Sequence, residues 1–140
     1  EVHNHVFASE IIKGYQPEYY EAIIDLDRKI TAENRELLLK DYIDNSKVII
    51  RNNKVSAYYM PGLGEGQIVA DNTDDGIEMM NYKYAGLNYA VIPEQNKAGI
   101  RFLKEKGFSI KDKSGTRMVR REAVDWKPEM IFSRIGGNYG

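Results

Sequence analysis

The sequence predicts an α/β chain of the α+β type with a mixed sheet, folded as one domain over residues 1–140. Three observations lead there. Its 140 residues suit a single core and are too few for two ordinary domains. Apolar runs of strand length are interleaved with stretches of helical spacing. Helices alternate with strands only in the second half, which favours a mixed sheet over a doubly wound parallel one. The expected order is strand, two helices, three strands, helix, strand, helix, two strands.

Residues 2–12 alternate loosely through Val2, Phe7, Ile11 and Ile12 and read as an opening strand closed by Gly14. His3 and His5 fall on one side of that strand, but two ligands without a third make a poor metal site, so none is expected. Pro17 suits the first turn of a helix, and Glu18 complements the positive end of its dipole. Tyr20, Ile23, Ile24, Asp27 and Ile30 keep helical spacing until Thr31 or Ala32 breaks it. Residues 31–34 then look like a cap for a second helix, with Leu38, Leu39, Tyr42 and Ile43 as its apolar stripe.

Residues 47–51 form a strand, and Asn52-Asn53 a hairpin turn, because Asn tolerates positive φ. Residues 54–60 return as its partner. A Gly-rich loop, residues 61–66, leads to a fourth strand at 67–70. Asp71, Asn72, Thr73, Asp74 and Asp75 cap a helix with Ile77, Met80 and Tyr84 on its buried face, ended by Gly86. A strand over 87–92 follows and stops at Pro93. Asn96 caps the next helix, Ala98, Ile100, Phe102 and Leu103 carry its apolar stripe, and Gly107 stops it. Residues 109–111 and 116–121 read as a last strand pair around a turn. Trp126, Pro128, Met130, Ile131 and Phe132 suggest a short packed helix before the Gly-rich end.

Composition narrows the function. Apolar residues make up 42% and charged ones 29%, a globular balance. A net charge of −1 offers no footprint for nucleic acid or an anionic membrane. The absence of cysteine excludes disulfides, thiolate zinc sites and a cysteine nucleophile. No apolar run approaches the roughly 20 residues of a spanning helix, and no signal-like start is visible. A cytoplasmic protein is therefore expected. The chain opens on Glu1 rather than Met, as a trimmed chain or the back part of a longer protein would.

The wording from Asn96 to Phe108, Asn-x-x-Gly-x-x-Phe-Leu-x-x-x-Gly-Phe, resembles the last helix of the GNAT acyltransferases. The expected element order is also theirs. Leu26-Asp27 with Arg35, then Thr116-Arg117-Met118 and Ile131-Phe132, resemble the C-terminal GNAT domain of two-GNAT-domain bacterial acetyltransferases.

That resemblance implies an acetyl-CoA-dependent N-acetyltransferase acting by direct attack of an amine on the thioester. Acetyl-CoA, the co-substrate, would lie between the fourth strand (Val69, Ala70) and the strand at 87–92. Its diphosphate would rest on the backbone of Thr73, Asp75 and Gly76, with Asn96 and Phe102 on the last helix completing the cofactor site. Glu65 or Glu94 would take the amine's proton; to protonate the leaving thiolate, Tyr89 on the 87–92 strand, or Tyr82 or Tyr84 on the preceding helix, could replace the family's usual Tyr. The acceptor would be an amine of a small molecule or peptide, and a homodimer or a second GNAT domain the partner.

Two positions depart from the family pattern. Its diphosphate loop is Gly-rich, whereas Asp71-Asn72-Thr73-Asp74-Asp75-Gly76 carries three carboxylates and one Gly. Carboxylates at a helix start favour the helix and repel a diphosphate. The family's acidic Tyr, four residues before the Gly of Gly-Phe, is here Leu103, which has no proton to give. These departures open the alternative of a catalytically degenerate GNAT-fold domain serving as a structural or substrate-binding partner. Arg117, Arg120 and Arg121 alternate on the late strand pair, where charge against edge pairing or an anionic ligand would both suit them.

Overall fold

The computed structural model describes residues 11–87, 89–109 and 126–133. Five strands form one sheet: β1 (Ile12–Gly14), β2 (Lys47–Arg51), β3 (Lys54–Met60), β4 (Gln67–Ala70) and β5 (Ile131–Ser133). They lie in the order β1-β2-β3-β4-β5. Every pair is antiparallel, so among the described residues the sheet is not the mixed one expected.

Four helices pack on it: α1 (Tyr20–Thr31), α2 (Glu36–Leu39), α3 (Thr73–Lys83) and α4 (Lys97–Glu105). Side chains alternate across a strand, and the strands here are apolar on both faces. Val48, Tyr58 and Val69 join Ile23, Ile24 and Ile30 of α1 in one buried cluster. Ile49, Ala57, Ile68 and Ala70 join Met79 and Met80 of α3 and Leu103 of α4 in another. β4 sits between the two, and all four of its residues are buried.

Local chemistry explains the boundaries that match expectation. Asn52 and Asn53 have φ of 52° and 64°, the left-handed pair that a two-residue hairpin requires. Ala32 ends α1 in the left-handed region, and its N–H donates to the carbonyl of Arg28. Asn72 caps α3 by accepting from the Asp75 N–H, and Asn96 caps α4 by accepting from the Gly99 N–H.

Three elements differ. The second helix, expected through residue 43, narrows after Leu39: the Tyr42 N–H bonds three residues back to Leu39 O, and a 3₁₀ turn at Ile43–Asn45 follows. The tail yields a 3₁₀ turn at Pro128–Met130 and then β5 rather than a helix. Tyr89, Ala90, Val91 and Ile92 form no strand. The last two differences share one cause. β4 pairs with β3 on one edge, and β5 takes the other, with Ile68 opposite Ser133 and Val69 opposite Ile131. No edge of β4 is left at those residues for the 87–92 segment. The expected strand pair at 109–121, apart from Ser109, and the His3–His5 pair lie outside the described residues, as do Arg117, Arg120 and Arg121.

Candidate functional site

The start of α3, where the resemblance would put a diphosphate, is internally occupied. Asp75 is 2% exposed, and its carboxylate accepts from Arg51 Nη2 (2.9 Å), Ser56 Oγ (2.5 Å) and Asn72 Nδ2 (3.1 Å). Burial raises its pKa, but the hydrogen bonds from Arg51, Ser56 and Asn72 outweigh burial and hold it below the usual value. Asp71 pairs with Lys29 at 2.7 Å. Gly76 abuts Phe132 of β5: a Cβ at Gly76 would lie 2.3 Å from the ring. Its N–H donates to Asn72 O, and Thr73 stays half-buried. This turn is thus engaged by Arg51 and Ser56 from the sheet and covered by an aromatic ring.

Asn96 is equally committed. It is 1% exposed; its oxygen caps α4, and its Nδ2 donates to the Ile131 carbonyl at 3.0 Å. Gly99, one turn on, lets Ile92 approach, since a Cβ there would lie 2.5 Å from Ile92 Cδ1. Phe102 is half-buried on the same helix, beneath the Lys106 ammonium. Val69 and Ala70 are wholly buried within β4.

The three residues proposed for proton transfer are all exposed. Glu94 is exposed in the turn before α4. Tyr89 is 61% exposed. Glu65 is exposed on the loop between β3 and β4. Two of the three, Glu65 and Tyr89, do bear on a common neighbour, Tyr84. Burial above all raises the Tyr84 phenol to about 12; Ser133 opposes this, while Tyr59, Glu65 and Tyr89 add to it. The Tyr84 hydroxyl is buried beside Ser133 without a well-formed hydrogen bond among the described residues.

Two buried polar centres complete the picture. On the α1 face, Asp27 is 1% exposed and receives Arg35 at two points, Nε to Oδ2 (3.0 Å) and Nη2 to Oδ1 (2.6 Å). The Tyr58 hydroxyl donates to Asp27 Oδ1 (2.6 Å), and Gln67 Nε2 donates to the Tyr58 oxygen. Burial, then the Asp27 charge, pushes the Tyr58 phenol well above its usual range. Burial works against the Arg35 cation, but its hydrogen bonds to Asp27 prevail and its pKa is raised. This centre joins α1, the segment before α2, β3 and β4.

On the α3 face, Lys83 Nζ donates to the carbonyls of Glu65 (2.5 Å) and Gly66 (2.7 Å) and to Ser133 Oγ (2.6 Å). Burial lowers its pKa to about 8, against the pull of the Glu65 charge. Sequence reasoning missed Lys83, because a lysine in the last turn of an amphipathic helix reads as a solvated dipole partner. The Asp27–Arg35 pair was visible only through resemblance. Gln67, the first residue of β4, points to the α1 face, toward Tyr58.

No family model, curated protein or solved structure matches the chain. The reading of function therefore rests on its own geometry. Among the described residues no helix is long and apolar enough to cross a membrane.

Proposed function

We propose that the chain is a GNAT-like domain given over to binding: a structural or substrate-binding partner to a transferase domain, with the transfer chemistry lodged in that partner. The observation that carries this reading is the start of α3. A diphosphate there needs unengaged N–H groups, a small residue beneath it and no competing anion. The Asp75 and Gly76 N–H groups instead donate to Asn72. The space beside Gly76 holds the Phe132 ring, and Asp74 and Asp75 place carboxylates in the first turn. The edge of β4, which would pair with pantetheine, carries β5. Leu103, at the position of the acid, is buried in the core beside Tyr84.

The second reading is an acetyl-CoA-dependent N-acetyltransferase, and one arrangement favours it. Glu65 and Tyr89, candidate base and acid, both bear on the Tyr84 phenol at the end of α3, each adding to the rise in its pKa.

Calorimetric titration with acetyl-CoA and with CoA separates the two. The binding-partner reading expects no heat of binding at millimolar cofactor. Micromolar affinity, roughly −8 kcal/mol, would overturn it and make an amine screen for acetyl transfer the next step.

A further inference from the structure

The cage around Lys83 lacks what the half-buried Arg35 and the exposed Arg51 possess. Arg35 and Arg51 each meet a carboxylate, at 2.6 and 2.9 Å. Lys83 is 9% exposed and, among the described residues, forms no salt bridge. Its three partners are two carbonyls and one hydroxyl. Carbonyls only accept, whereas a hydroxyl can either accept or donate. A charged ammonium can therefore give three hydrogen bonds. A neutral amine can give two to Glu65 O and Gly66 O and accept one from Ser133 with its lone pair. Both protonation states are satisfied by the same atoms, and only the charged one bears the cost of burying an unpaired cation.

The partners also lie on separate elements. Glu65 and Gly66 belong to the loop between β3 and β4, Ser133 to β5, and Lys83 to the last turn of α3. That loop is rich in glycine, with Gly64 and Gly66 at φ of 58° and 86°. Leu63 N donates to Met60 O at the end of β3, and Gly66 N donates to Leu63 O within the loop. The amine is the side-chain tie that fastens loop, strand and helix together.

We propose that Lys83 is a proton-operated latch: the neutral amine closes the β3–β4 loop and β5 onto the end of α3, and protonation biases the loop toward opening. Opening would release the lysine to water and expose Tyr84 and Ser133, leaving Glu65 at the rim. Among the described residues, the titratable groups facing the amine are Glu65 on the loop, Tyr59 on β3 with its ring centroid 5.6 Å away, and Tyr84 at 4.9 Å, with Tyr89 acting on Tyr84. The Glu65 charge opposes the latch by favouring the cation, but its side chain is exposed and screened. Both aromatic rings favour the cation as well. Burial outweighs them, and Lys83 falls from 10.5 in water to about 8 when closed.

Linkage fixes the sign. The open, solvated lysine holds its proton more tightly than the closed one, so raising the pH from 8 toward 10.5 favours closure. The opening constant should fall roughly tenfold between about pH 7 and about pH 9 on that basis. Two NMR readouts test this on the intact chain: the titration of the Lys83 side chain, and the protection factors of the Leu63 and Gly66 amides relative to an α1 amide. The latch requires a lowered Lys83 titration and loop protection that rises with pH. Lys83→Met, which cannot donate to the Glu65 and Gly66 carbonyls, should lower the loop's protection and abolish its pH dependence. Ser133→Ala takes from the ammonium a charge-assisted bond that is stronger than the one the neutral amine accepts, and should lower the Lys83 titration further in a chain that keeps its lysine. A Lys83 titrating near 10.5, or protection that changes equally with pH in Lys83→Met, would overturn the proposal.

Discussion

The ring of Phe132 fills the space that a side chain at Gly76 would need, with its Cε1 only 2.3 Å from where a Cβ would stand. One contact thereby joins the first turn of α3 to β5, a strand drawn from more than fifty residues away in sequence. Phe132 is wholly buried and rigidly framed by the sheet, so the ring cannot swing aside as an exposed side chain would. Gly76→Ala should destabilise the fold by about 1–3 kcal/mol, the usual cost of overpacking. Urea denaturation measures it. Phe132→Leu should recover part of the loss in the double variant, because the two positions share one space. A Gly76→Ala chain as stable as the parent would show that Phe132 does not sit there.

The Asp27 centre should respond more steeply. Arg35 is 10% exposed and gives Asp27 two hydrogen bonds, so removing the carboxylate leaves a buried cation unpaired. Asp27→Asn should cost about 3–5 kcal/mol in urea or thermal unfolding. Replacing both residues, Asp27→Asn with Arg35→Met, should cost clearly less than the sum of the single changes, since no charge is then left alone. Additive losses would mean the pair does not interact as the geometry indicates. Tyr58→Phe tests the rest of the network, because Asp27 and Gln67 each lose a partner while the ring stays in the core.

These first two cases mark how far the residues speak for themselves. The Asn52-Asn53 turn was legible because positive φ is a local demand that Asn meets. The helix starts at Asn72 and Asn96 were legible for the same reason: a cap is settled within four residues. β5 was not. Three residues carry no periodicity, and their strand state comes from pairing with Ile68 and Val69 some sixty positions earlier. The strand expected at 87–92 has the right apolar residues, yet β5 takes the edge it would have used. Glu65 and Glu94 were named by resemblance and Tyr89 as a stand-in for the family Tyr that Leu103 replaces, and their exposure could not be read from their own identities.

The hairpin supplies a sharper test of local coding. Asn53 sits at φ 64°, where a β-branched residue is strained and glycine is at ease. Asn53→Val should destabilise by about 1–2 kcal/mol, while Asn53→Gly should leave the thermal midpoint nearly unchanged. Equal effects from the two would mean that the turn does not hold its left-handed backbone in solution.

Acid should act through Asp75. Its folded pKa lies below 3.8, because the bonds from Arg51, Ser56 and Asn72 outweigh the burial that would raise it. A carboxyl of this kind adds stability that is fully present above its unfolded pKa and is lost as the pH falls through the folded value. The parent should therefore lose stability steadily below about pH 4. Asp75→Asn, with no proton to gain, should be less stable at neutral pH and show a shallower acid slope. Parallel pH profiles for parent and variant would remove Asp75 from the account.

Asn96 separates cofactor binding from architecture. Its oxygen caps α4 and its amide donates to the Ile131 carbonyl, so both ends of the side chain already have partners. Asn96→Ala removes both and should cost about 2–4 kcal/mol, a lost cap plus a buried carbonyl left unsatisfied. Asn96→Ser keeps an oxygen for the cap but has no amide to reach β5, and should fall between Ala and the parent. The ordering Asn over Ser over Ala is specific to a side chain that serves two elements at once. A residue kept for a ligand would behave otherwise: truncating it would leave the unliganded fold nearly as stable, and the loss would show only when cofactor was added. Denaturation of the three chains with and without millimolar acetyl-CoA distinguishes the cases. Stability that drops in the unliganded chain, with no added response to acetyl-CoA, assigns Asn96 to holding α4 against β5.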